Sequence, residues 1–103
     1  MLYYKLVRDK IPEIIEKSGK KASTYILSDQ EYGIYLERKL DEEVQEYHES
    51  KNPEELADIL EVLISLAKTK GYSFEELVKL QEQKASERGG FSKKILLLTV
   101  IDE

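Results

Sequence analysis

The chain has 103 residues, no cysteine and a formal net charge of −5. That length bounds it to one domain with a modest core. The acidic balance argues against a binder of nucleic-acid polymers, and the lack of thiols excludes disulfides and thiolate zinc sites. The opening residues Met1-Leu2-Tyr3-Tyr4-Lys5 hold no signal-peptide apolar stretch, and no apolar run is long enough to span a bilayer, so a cytoplasmic location is expected.

In chain order, a first helix is expected over residues 10–18. Ile11, Ile14 and Ile15 form its apolar stripe, Asp9 its N-cap and Gly19 its stop. Thr24, Tyr25 and Ile26 favour a short strand over 22–27. A long second helix follows over 29–49, opened by a capping box of Ser28 and Glu31. Its apolar stripe runs through Leu36, Leu40, Val44 and Tyr47.

The third helix starts with Asn52 as cap and Pro53 in the first turn, and Gly71 ends it. Its apolar residues fall into two bands. One holds Leu56, Leu60, Leu63 and Ala67, the other Ile59, Val62 and Leu66. A helix so widely apolar needs cover on more than one side, which points to a homodimer or higher homo-oligomer. Ser73 and Glu76 then box the start of a fourth helix over 74–87, which Gly89-Gly90 ends. Residues 95–101, rich in branched side chains, read as a strand that pairs with 22–27. The expected fold is mainly α, a helical bundle with a minor two-stranded β element.

Two acidic motifs flank the turn between the second and third helices: Glu42-Glu43-Val44-Gln45-Glu46 and Glu55-Leu56-Ala57-Asp58. In an antiparallel hairpin Glu46 falls opposite Glu55 and Glu43 opposite Asp58. The i, i+3 spacing within each motif puts its two acids on one side of its helix. Glu-rich helices usually present a solvated face. Acids that face each other beside apolar stripes instead need a cation among them, and oxygen-only ligands suit a hard divalent ion such as Mg²⁺, or Mn²⁺.

The segment Lys39-Leu40-Asp41-Glu42-Glu43-Val44-Gln45-Glu46-Tyr47, followed by Glu55-Leu56-Ala57-Asp58-Ile59-Leu60, resembles the EExxE…ExxD signature of the MazG-like all-α NTP pyrophosphohydrolases. The run from Tyr4 to Pro12, and Lys84 with Arg88-Gly89-Gly90-Phe91, resemble a small single-domain branch of that superfamily, described as house-cleaning or phosphoribosyl-ATP-pyrophosphohydrolase-like. The resemblance implies Mg²⁺-dependent hydrolysis of a nucleoside triphosphate between its α- and β-phosphates. It places the metal ligands on Glu43, Glu46, Glu55 and Asp58, and Glu42 matches the first acid of the motif. It also favours phosphate contact by Arg8, Lys84 and Arg88, and an oligomeric state. Lys39 either contacts phosphate or balances the acids. Glu43 is the candidate to activate the attacking water, with Glu42 in reserve. Two other readings stand beside this one: an enzyme acting on phosphoribosyl-ATP, or an inactive dimeric helical module with regulatory or binding duties.

Overall fold

The computed structural model describes residues 4–102, of which the helical portion is α1 (Ile11–Lys17), α2 (Asp29–Ser50), α3 (Pro53–Thr69) and α4 (Phe74–Arg88). The chain is thus mainly helical. Local chemistry sets the helix ends. The Ser28 hydroxyl accepts from the Glu31 N–H at 3.2 Å, and the Ser28 N–H donates to the Glu31 carboxylate at 2.9 Å, closing the expected box on α2. Ser73 and Glu76 repeat that pattern on α4. On α3 the Asn52 side chain accepts from the Glu54 N–H at 2.9 Å, and Pro53 takes the first turn.

At the start of α1 the structure departs from expectation. Lys10, not Asp9, holds the N-cap position, in helical conformation and without a side-chain cap. An N-cap side chain works from an extended backbone, which this residue lacks. Gly19 does adopt a positive φ, of 90°, just past the helix end.

The centre of the fold is the hairpin of α2 and α3, joined at Lys51 and Asn52. Lys51 closes α2 in the left-handed conformation, φ 56°, its N–H bonded to the Tyr47 carbonyl at 2.7 Å. The turn is short enough to hold the two helices side by side. Leu36 of α2, 2% exposed, meets Val62 and Leu66 of α3, and Leu6, Tyr32 and Leu40 pack around them. Of the two bands expected on α3, the one with Val62 and Leu66 is therefore the covered one. Ala67 is buried too, while Leu56, Leu60 and Leu63 stay about half exposed.

The expected two-stranded β element is missing: no strand occurs among the described residues. The stretches 22–27 and 95–101 share no ladder, and without a paired edge their branched residues have nothing to fix them as a sheet. Six large apolar side chains of 95–101 are 74% to 82% exposed. The chain is accordingly elongated, with a radius of gyration of 18.4 Å and a longest dimension of 66 Å. A packed chain of this length has a radius of about 13 Å.

Candidate functional site

The hairpin brings the two acidic motifs together. One carboxylate oxygen from each of Glu42, Glu43 and Glu46 lies within 4.8 Å of the others, and oxygens of Glu43, Glu55 and Asp58 form a second trio on the same limit. Glu43 belongs to both. Its neighbours are partly exposed, whereas Glu43 is 7% exposed, and its Oε2 is fully buried with no hydrogen-bond partner. A buried carboxylate oxygen without a donor is costly to maintain, by about 1–3 kcal/mol or more when charged.

The electrostatics agree with the geometry. Burial, foremost, pushes the Glu43 carboxyl above the usual glutamate range; the Lys39 ammonium pulls it back and Glu46 adds to the rise. Glu55 is raised as well, first by lost hydration and then by the Asp58 charge, while a hydrogen bond with Glu46 opposes that. The acids at the centre of the group thus raise one another's carboxyls, with the Lys39 ammonium opposing the rise at Glu43.

Cations close the outer side of the cluster. The Arg8 guanidinium donates to Asp58 Oδ1 at 2.7 Å, which ties the segment before α1 to α3. Lys39, one turn before Glu43, puts its Nζ 3.3 Å from Glu42 Oε2 and 3.3 Å from Glu43 Oε1. Lys5 reaches Glu42 Oε1 at 3.4 Å. Beside them runs a groove of about 620 Å³, bordered by Arg8, Lys10, Lys39, Lys68, Glu43 and Asp58. Sites for small molecules typically enclose about 300–1,000 Å³.

Seven of the nine residues singled out from the sequence therefore converge: Glu42, Glu43, Glu46, Glu55 and Asp58 in the cluster with Lys39, and Arg8 joins them at the rim. Lys84 and Arg88 do not. They stand on α4, outside the groove, because α4 packs on α3 and not on the α2 side where the groove opens. Lys68 borders the groove although its spacing drew no attention. The signal was present: Asp58, Glu61, Ser65 and Lys68 follow at i, i+3, i+7 and i+10, one face of α3, and all four line the groove. Asp9, expected as a cap, lines it too.

An uncharacterized protein from Mycolicibacterium smegmatis is 56% identical over 41 residues, which is 40% of this chain and 42% of that protein. The chain thus matches only about two fifths of the length of that relative. No family model matches the chain, and no solved structure does.

Proposed function

We propose that this chain is a nucleoside triphosphate pyrophosphohydrolase of the MazG-like all-α kind, acting in the clearance of non-canonical or surplus nucleotides. One observation carries this reading: the buried, unpartnered Oε2 of Glu43 at the junction of two carboxylate trios. The donor set is all oxygen, which fits Mg²⁺ and admits Mn²⁺. Glu43, Glu46, Glu55 and Asp58 are the residues to hold the metal, whose contribution is to neutralise charge on the triphosphate oxygens and polarise the scissile linkage.

The chain's own groups supply the rest. Arg8, Lys39 and Lys68 offer positive charge along the groove wall for the phosphate oxygens that an acidic cluster alone would repel. Arg8 has to loosen its bond to Asp58 to do so. In the reaction, water oxygen bonds to the α-phosphorus, the bond to the α–β bridging oxygen breaks, and pyrophosphate leaves with that oxygen. The water proton passes to a carboxylate. Glu43, whose carboxyl is already pushed up, is the better acceptor, and the adjacent Glu42 is the alternative. Neither a covalent intermediate nor a cysteine or histidine nucleophile is required.

A homodimer is expected in solution, because one apolar face of α3 is uncovered in the single chain. No helix among the described residues is long and apolar enough to cross a membrane. The test is pyrophosphate release with Mg²⁺ from a panel of canonical and modified nucleoside triphosphates, with phosphoribosyl-ATP included. Glu43→Ala and Glu55→Ala should each abolish turnover while leaving the helical circular dichroism intact. Turnover that survives both changes would refute the site, and no turnover on any member would favour a binding module instead.

A further inference from the structure

Two apolar surfaces of this chain lie open, and neither can be explained by the nucleotide site. The first is the α3 stripe of Leu56, Leu60 and Leu63, turned away from α2. The second is the segment 95–101, Ile-Leu-Leu-Leu-Thr-Val-Ile, which follows α4 and leaves its large side chains almost as exposed as in an extended peptide. Exposed apolar area on this scale marks an interaction surface. We infer that the segment 95–101 of one chain packs on the Leu56–Leu60–Leu63 face of a second copy, and that the second copy returns the same contact.

Four observations select a second copy as the occupant. The surfaces match in chemistry: 95–101 carries no charge, and neither do the stripe positions of α3. They are compatible in reach, since seven extended residues span about 23 Å, more than the roughly 11 Å from Leu56 to Leu63 along α3. Charges bound the segment, Lys93 and Lys94 before it and Asp102 after it, so the portion to be buried is defined at both ends. Finally, the segment's own hairpin does not cover it, for its six large apolar side chains are 74% to 82% exposed.

The area suffices. The segment offers on the order of 1,000 Å² per copy, and two reciprocal contacts reach or exceed the roughly 1,200–2,000 Å² of a stable interface. Reciprocity also closes the assembly as a two-fold dimer, with no open end from which a filament could grow. This deepens the dimer expectation and stands apart from nucleotide turnover, so either can fail without the other.

The missing cysteines make the test clean. Full-length chains are prepared with Leu60→Cys, Leu96→Cys or Leu97→Cys; the last two point to opposite faces of an extended segment, so one of them faces α3. Each is oxidised alone and in mixture with Leu60→Cys, after subunit exchange. The expected product is a disulfide-linked species of twice the 12.0 kDa chain mass. It should form several-fold faster in one of the mixtures than in any single preparation, and Leu98→Asp in the segment partner should slow it. Leu60→Cys that links to itself as fast as in the mixtures would overturn the inference in favour of α3 pairing with α3. A chain with Leu60→Cys and Leu97→Cys together that closes internally, without dimer, would overturn it in favour of folding back. A monomeric mass for the unmodified chain by light scattering at micromolar concentration, or preferential binding to phosphatidylglycerol vesicles, would overturn it as well.

Discussion

α3 has two apolar sides of nearly the same composition, and they have opposite fates. Val62 and Leu66 are buried against Leu36 of α2, and the Leu56, Leu60, Leu63 side is half open. Leucine and isoleucine spacing cannot distinguish them, because periodicity reports which positions are apolar and not what will cover them. The covered side is the one that the two-residue turn at Lys51 and Asn52 forces against its neighbour in sequence. The other has only distant parts of the chain, or another chain, to turn to.

The sharpest way to break this comparison is to truncate one leucine on each side. Leu66→Ala should destabilise the chain by about 2–5 kcal/mol, the usual range for a buried leucine whose site cannot collapse. Leu60→Ala should cost less than about 1 kcal/mol in dilute solution, as expected for a surface position. Its effect should grow with protein concentration if the open face is used between copies. Denaturant melts at two concentrations measure both. Equal losses at both positions and both concentrations would erase the distinction between the two sides.

A smaller effect separates binding from folding at the acidic cluster. Glu43→Gln removes the buried charge but keeps the shape, so the metal-free chain should gain about 1 kcal/mol, because a buried charge without a full set of partners weakens the fold. The same substitution should remove the rise in melting temperature on adding Mg²⁺ that the unaltered chain is expected to show. Loss of stability in Glu43→Gln would mean that Lys39 already pairs Glu43 well enough to make the charge an asset.

Local chemistry was the legible part. Ser28 with Glu31, Asn52, and Ser73 with Glu76 each act within four residues, and helix ends drawn from them agree with the structure to within one residue for α2 and α4. The strands expected at 22–27 and 95–101 are absent among the described residues, because a strand exists only through a partner elsewhere in the chain or outside it, and local propensity does not report one. The site divides the same way. The turn between α2 and α3 was enough to pair Glu43 with Glu55 and Asp58. That Glu43 alone would be buried depends on how deeply α2 and α3 pack, and the bond from Arg8 to Asp58 joins residues 50 positions apart. No spacing rule reaches that far. Lys84 and Arg88 came from resemblance alone, and within one chain α4 holds them outside the groove.

The finest contrast lies within α2, between Glu31 at its cap and Glu43 in its middle. The Ser28 backbone N–H, first of all, holds Glu31 below the ordinary glutamate value, and the phenol of Tyr25 donates to it at 3.1 Å. A lowered pKa means that the cap's contribution is complete above the ordinary value and fades as pH falls through the lowered one. Glu43 and Glu55, being raised, work the other way. The folded metal-free chain takes up protons on them before the unfolded chain does, so it should become more stable as pH falls from neutrality through their raised values. Below the ordinary value Glu31 protonates and the trend turns over. Melting temperatures across this range should therefore pass through a maximum on the acidic side of neutrality, and Glu43→Gln should flatten the approach to it. With Mg²⁺ at saturating concentration the acidic-side gain should become a loss, since metal binding needs both carboxylates deprotonated. A metal-free curve that falls steadily from neutral pH downward would show that Glu43 is not strained by its neighbours, and would leave its buried oxygen without a reason to attract an ion.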